Sequence, residues 1–413
     1  MRTFLLAALL AAAALPAHAD PALDKRVAAV LAKTPLIDGH NDLPWALREG
    51  FSEKWPDLAT GEPKLHTDIP RLRAGKVGGQ FWSVWVPVSL KGDEAVRTTL
   101  EQIDTVKRLA ALYPRDLELA TTAADIRRVH KAGRIASLIG VEGGHQINNS
   151  LGTLRQFHAL GVRYMTLTHT ANTDWADAAT DAPKHDGLTL FGEAVVAEMN
   201  RLGMIVDLSH VSPATATDAL RVTRAPVIFS HQGARALADH PRNTADDVLK
   251  LVAANGGVVM VDFVPGYVSR KRQEYDASAA AEKARADNPP YGGLYIGQPD
   301  RAKAALEAWK AANPNPPVAL AEVADHIDHI AKVAGHDNVG IGGDFDGITE
   351  TVDGLSDVSM YPALFAELAR RGWSDRDLAK LAGENVLRVM AAVEATAKRL
   401  ASEPPSTATV PSK

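Results

Sequence analysis

Five side chains in this 413-residue sequence stand out as candidates to bind divalent metal ions: His40, Asp42, Glu142, His210 and His231. His40 and Asp42 stand two apart in the run HND. On extended backbone, residues two apart point the same way, so this pair can clasp one ion from one side. Alone the pair is a weak signal. It gains weight from Glu142 in VEGG, His210 in DLSH and His231 in FSH. Three imidazoles and two carboxylates suit two divalent metals with mixed nitrogen and oxygen ligands. Zinc fits this donor set best, and cobalt or manganese can substitute. Two carboxylates leave two dications far from neutralised. A water between the ions would then ionise near neutral pH, as metal-bound water does at a pKa of about 7. Glu142 has two oxygens, which makes it the candidate to bridge ions about 3.5–4 Å apart. Such a centre performs hydrolysis. The plainer alternative, that these are satisfied core groups, conflicts with the cost of burying carboxylates without partners.

Residues so far apart in the chain need a scaffold that brings them to one place. Short apolar runs recur at 36–38, 80–86, 135–141, 164–168, 204–208, 227–229, 257–263 and 339–342. Most are continuous rather than alternating, as in parallel strands covered on both faces. Amphipathic or Ala-rich segments lie between them, among them 96–112, 188–202, 243–254 and 318–334. Eight strand-then-helix units predict an α/β chain folded as a (β/α)8 TIM barrel, with a doubly wound open sheet as the rival. His40 and Asp42 end the first strand, Glu142 the third, His169 the fourth, His210 the fifth and His231 the sixth, and Asp344 follows the eighth. In a barrel those ends meet at one mouth, where such enzymes keep their active sites.

Residues 266–317, between the seventh and eighth strands, are rich in Ala, Lys, Glu and Pro. They predict a helical insertion near the mouth. The catalytic barrel domain is expected over 20–398 and a disordered Pro/Ser/Thr-rich tail over 399–413. Residues 1–19 have a positive start at Arg2, a short apolar run and the Ala17-His18-Ala19 cleavage pattern. That is the pattern of a signal peptide, so the chain is expected to be exported, periplasmic or secreted. The net charge of −5 makes nucleic acid a poor partner. The absence of cysteine removes disulfides, iron–sulfur clusters and thiol nucleophiles. Neither a GxSxG elbow nor an HExxH helix is present.

The ordered motifs IDGHNDLPW, VEGGH, YMTLTHTANTDWAD, DLSHVS, VIFSHQGARAL, HPRN, VADHIDHI, IGGDFDG and GENVLRV make the chain resemble the membrane dipeptidase (renal dipeptidase) family, zinc peptidases of the amidohydrolase superfamily. The resemblance implies two Zn2+ per chain. His40 and Asp42 would hold one, His210 and His231 the other, and Glu142 both, around a bridging hydroxide. It also implies that His169 stabilises the oxyanion of the scissile carbonyl and that Arg242 holds the substrate's terminal carboxylate. Asp344 would meet the free amino group and pass a proton to the leaving amine. The implied substrates are small dipeptides, with L,D-dipeptides plausible, and a homodimer is a common assembly. Hydrolysis of N-acyl amino acids at the same centre is the alternative, and a non-catalytic binding barrel is the reading from a different class.

The chain departs from the family in three ways. Asp262-Phe263-Val264 stands where many relatives place a tyrosine, which Tyr267 would have to replace from a shifted position. The polar C-terminus lacks the hydrophobic signal for a lipid anchor, so no stable membrane anchor is expected. The insertion is the third departure, with a lid or a dimer contact as its expected role. His326 and His329 in DHIDHI read as structural, and His145 reads equally well as a satisfied loop residue or as a neighbour of the ligands. Asp346 is expected to orient Asp344 or its loop.

Overall fold

The computed structural model describes residues 20–51 and 54–410. The expected leader, 1–19, and the last three residues lie outside it. Among the described residues nine strands form: β1 (Leu36–Asn41), β2 (Val77–Trp85), β3 (Leu117–Leu119), β4 (Ile135–Glu142), β5 (Val162–Thr166), β6 (Ile205–Asp207), β7 (Ile228–Phe229), β8 (Val258–Val261) and β9 (Val339–Ile341). Every pairing is parallel, and eight strands close a ring in the order β1-β2-β4-β5-β6-β7-β8-β9, with β9 pairing back to β1. The closed ring is the TIM barrel, and it excludes the open doubly wound sheet. β3 lies outside the ring, with Leu117 opposite Ile135 at the start of β4. Three residues with a polar centre left no apolar run to recognise.

Side-chain alternation positions the site. In β4, Ala136 and Leu138 pack with Ile37, Phe81, Tyr164, Ile205, Ile228, Val258 and Met260 in the barrel interior. Ile135, Ile139 and Val141 instead join the layer beneath the helices. Even-numbered residues of β4 therefore face inward, and Glu142 continues that phase to the mouth. The same phase carries Asp207 after Ile205, Ser230 after Ile228, and Asp262 after Met260. A polar layer thus caps an apolar one. In β1 the pairing register shifts between Asp38 and Asn41, an irregularity of the kind that re-aims a side chain.

The expected helices are observed as Gly92–Leu112, Leu190–Leu202, Asp246–Asn255 and Leu320–Ala334. The helix Asn385–Leu400 closes the other end of the barrel, with Val386, Leu387, Val389, Met390 and Val393 packed against the interior cluster. Each such apolar side chain contributes about 1.5–3 kcal/mol by leaving water, so stability is concentrated away from the mouth.

Between β8 and β9 the insertion forms helices Pro265–Val268, Arg270–Ala286 and Pro299–Ala312. The tail beyond the helix, expected as disordered, is described to residue 410. Ser406 N–H donates to Glu198 at 3.2 Å, and Ala408 and Val410 pack on the core. Among the described residues no helix is long and apolar enough to cross a membrane.

Candidate metal centre and active site

All eight site residues expected from the sequence lie at the mouth of the barrel. Glu142 sits at the centre. Its Oε1 is 2.9 Å from His210 Nε2 and 3.3 Å from His231 Nε2. Its Oε2 is 3.5 Å from His40 Nε2, which lies 3.3 Å from Asp42 Oδ2. One carboxylate thus turns one oxygen to each of two donor groups. Among the described residues, three sets have ligand atoms within 4.8 Å of one another: His40, Asp42 and Glu142; Glu142, His169 and His210; His40, His231 and Asp344.

Hydrogen bonds behind the candidate ligands His40 and His231 fix which ring nitrogen carries the proton of the neutral ring. Tyr164 OH donates to Gly39 O at 3.1 Å, so His40 Nδ1, also 3.1 Å away, donates to that hydroxyl. In the neutral ring His40 Nε2 is then the lone pair, and it is buried without a hydrogen-bond partner. On the other side, Asp207 Oδ2 accepts from Ser230 Oγ at 2.6 Å, and Ser230 Oγ lies 2.9 Å from His231 Nδ1. Ser230 is therefore the acceptor for His231 Nδ1–H, and His231 Nε2 is a lone pair as well. It faces His210 Nε2 at only 3.0 Å. Burial, joined by the nearby charges of Arg242 and His169, holds His210 well below the usual imidazole range. Burial, with His40 next, does the same to His231. Burial opposes the charged form of His40 too, but Tyr164, Glu142 and Asp42 outweigh it and raise that group. Burial would raise Glu142, yet the surrounding imidazoles hold it well below the carboxylate range. Neutral His210 and His231, together with a His40 whose charged form the neighbouring carboxylates favour, converge on an ionised carboxylate. A dication in their midst would take the place of that positive charge, so the donor set fits bound divalent metal.

Glycines make this approach possible. Tyr164 reaches across the barrel because its partner in the β4–β5 register is Gly140, where a Cβ would lie 2.0 Å from the phenol ring. A Cβ at Gly347 would lie 2.3 Å from Asp42 Oδ2 and 2.9 Å from Asp344 Oδ1. His210 and Asp344 themselves adopt left-handed backbone, φ +67° and +59°. Non-glycine residues held there cluster at active sites.

Three further groups flank the ligands. His169 Nε2 lies 3.7 Å from Glu142 Oε1, and burial lowers its pKa, so the ring is a neutral donor. Asp344 N–H donates to His40 O at 3.2 Å, and its carboxyl group is 3.8 Å from His40 Nε2. Burial raises Asp344 well above the usual carboxylate range; His40 opposes the shift, and the charges of Asp42 and Glu142 reinforce it. Arg242 is almost wholly buried. It donates to Gln232 Oε1 at 2.6 Å and to His231 O at 3.3 Å, and its Nε has no hydrogen-bond partner. Tyr267 lies beneath its guanidinium, 5.5 Å from ring centroid to Cζ. Asp262 is fully buried within electrostatic reach of Arg242, and burial pushes it up to about 7.

The other histidines fall outside this cluster. His326 accepts from Ala234 N–H at 2.9 Å and donates to Val268 O at 2.9 Å, which makes it structural. His329 pairs with Asp246 at 2.8 Å. His145 belongs to none of the three ligand sets. Asp346 accepts from His66 N–H at 2.7 Å, which ties the Asp344 loop to another segment. Asp38, Tyr164, Asp207, Ser230 and Gln232 were not foreseen from the sequence. The alternating phase of the strands is the signal that could have found Asp207 and Ser230, but their partners are visible only in three dimensions. Asp38 accepts from Tyr361 OH at 2.5 Å, His40 N–H at 3.1 Å and Gly343 N–H at 3.0 Å, joining the end of β1 that carries His40 to the loop that carries Asp344.

Residues 24–404 match the family described as membrane dipeptidase, peptidase family M19. The chain is 42% identical over 383 residues to dipeptidase verJ of Clonostachys rogersoniana, covering 90% of this chain and 87% of that one. The crystal structure of the probable dipeptidase PvdM from Pseudomonas aeruginosa superposes with a TM-score of 0.78 at 26% identity, covering 91% of this chain and 99% of that one. A Rhodobacter sphaeroides metallopeptidase, liganded with a phosphinate mimic of the dipeptide L-Ala-D-Ala, shares the fold at a TM-score of 0.71 and 24% identity, covering 87% and 99%.

Proposed function

The chain belongs to the membrane dipeptidase family, peptidase family M19, and on that premise we propose that it is an exported dizinc dipeptidase whose substrates include L,D-dipeptides. The observation that carries this reading is the division of Glu142, with Oε1 toward His210 and His231 and Oε2 toward His40. His40 and Asp42 would hold one ion, His210 and His231 the other, and Glu142 both. Bound there, the metals supply an activated water and polarise the scissile carbonyl.

The protein side chains do the rest. Arg242 binds the substrate's terminal carboxylate. Its guanidinium is already oriented by Gln232 and the His231 carbonyl, so little freedom is lost on binding. Asp344 meets the free ammonium group, whose charge favours the ionised carboxylate that burial disfavours; it takes a proton from the attacking water on a carboxylate oxygen and returns it to the leaving nitrogen. His169 donates its ring N–H to the developing oxyanion. An anion site and a cation site on either side of one carbonyl measure a short zwitterion, which favours dipeptides over longer chains. Export is supported by the leader pattern at 1–19, and a homodimer by the family resemblance.

The test is a panel of dipeptides with L and D residues at each position, together with N-acetylated amino acids and elemental analysis of the purified protein. Cleavage of free dipeptides with about two zinc ions per chain is expected. Cleavage of N-acyl amino acids but not of free dipeptides would remove Asp344 from ammonium recognition and favour the alternative amidohydrolase.

A further inference from the structure

The insertion borders a recess of about 370 Å³ that opens onto Asp344. Its walls include Tyr267, Arg272 and Asp276 from the insertion and Thr349 and Glu350 from the loop after β9. Arg272 Nε lies 2.7 Å from Asp276 Oδ1, and its Nη2 lies 2.7 Å from Glu350 Oε2. Asn315, at the far end of the insertion, donates to the same Glu350 oxygen at 2.8 Å. Glu350 therefore ties both ends of the insertion to the loop that carries Asp344. The Arg272 side chain is 11% exposed, whereas those of Asp276 and Glu350 are 44% and 53% exposed. The cation is covered, and the carboxylates that neutralise it face solvent. Two carboxylates against one guanidinium leave this wall with a net negative charge.

We infer that this recess receives the side chain of the substrate's N-terminal residue and selects a cationic one, lysine or arginine, over an acidic one, with Glu350 as the determining residue. The inference rests on the dipeptidase reading, in which the substrate ammonium lies at Asp344. A side chain leaving the carbon next to that ammonium has the recess beside it. Arg272 is committed to two carboxylates, so an incoming carboxylate finds no free partner, while an incoming ammonium or guanidinium meets the exposed edges of Glu350 and Asp276. Partly exposed pairs are individually weak. Attraction in one case and repulsion in the other together give about tenfold discrimination.

The experiment compares kcat/KM of the zinc-loaded full-length enzyme on Gly-Ala, Ala-Ala, Lys-Ala, Glu-Ala, Ala-Lys and Ala-Glu. Lys-Ala is expected to exceed Glu-Ala about tenfold, with a much smaller difference between Ala-Lys and Ala-Glu. Glu350→Gln should cut the Lys-Ala to Glu-Ala ratio at least threefold, because it keeps an oxygen for Arg272 and Asn315 and loses the charge. General loosening of the insertion would lower both substrates alike and leave the ratio unchanged. Thr349→Trp, which fills the recess, should reduce Lys-Ala and Glu-Ala at least tenfold relative to Gly-Ala. Equal rates on Lys-Ala and Glu-Ala, or a preference that appears only at the C-terminal residue, would overturn the assignment while leaving the dipeptidase reading intact. Failure to cleave any of the six would overturn both.

Discussion

Replacing Tyr164 by Phe removes one oxygen and keeps the ring that fills the space beside Gly140. In the folded chain that oxygen accepts the His40 Nδ1 proton at 3.1 Å and gives its own to Gly39 O at 3.1 Å. Both residues are fully buried, so water offers no replacement. A buried N–H left without an acceptor costs about 1–3 kcal/mol. His40 can escape that cost by moving its proton to Nε2, where Asp42 and Glu142 stand 3.3 and 3.5 Å away. The escape occupies the lone pair that a metal needs. Zinc affinity should therefore fall about 10–100-fold, the usual effect of losing a partner behind a ligating histidine. That loss equals ~1.4–2.7 kcal/mol and lies within the range of the broken hydrogen bond. Competition against a calibrated zinc chelator measures it, and thermal melting of the metal-free protein controls for packing. A zinc dissociation constant within twofold of wild type, with an unchanged melting temperature, would refute the view that Tyr164 sets the state of His40.

Other perturbations separate the remaining roles. Glu142→Ala should reduce bound metal well below the wild-type content, because both donor groups face this carboxylate; elemental analysis checks it, and retention of two ions per chain would contradict bridging. Asp344→Asn should lower kcat by about 10²–10⁴-fold, the range for a positioned acid or base, while metal content stays near wild type; survival of activity within a few-fold would end its assignment to proton transfer. Arg242→Ala should mainly raise KM for dipeptides, and an unchanged KM would remove it from carboxylate binding. Asp262 has a folded-state pKa near 7, raised by burial. Its contribution to stability is complete below about pH 4 and is lost as pH rises through 7. Asp262→Asn should therefore flatten the fall in stability between about pH 4 and pH 7, by up to about 4 kcal/mol. Parallel pH dependences for the two proteins in chemical denaturation would show that the Asp262 carboxyl does not carry that cost.

The sequence by itself determined the type of fold and pointed to the main members of the candidate site. Continuous apolar runs alternating with amphipathic segments specify parallel strands covered by helices, because both faces of each strand must leave water. Polar residues at the ends of those runs, from His40 to Asp344, specify a mouth, since the parallel strands end on the same side. The sequence also placed the insertion, whose composition breaks the barrel pattern. Tertiary structure decided what distance in the chain conceals. Closure of the ring depends on β9 pairing with β1, a contact between residues some three hundred positions apart that no local pattern encodes. The states of His40 and His231 depend on Tyr164 and on Asp207 through Ser230, and a hydrogen bond requires an approach within about 3 Å, which only the folded backbone provides. The division of the Glu142 oxygens, and the binding of both ends of the insertion to Glu350, are of the same kind: short-range interactions between groups that only packing brings together.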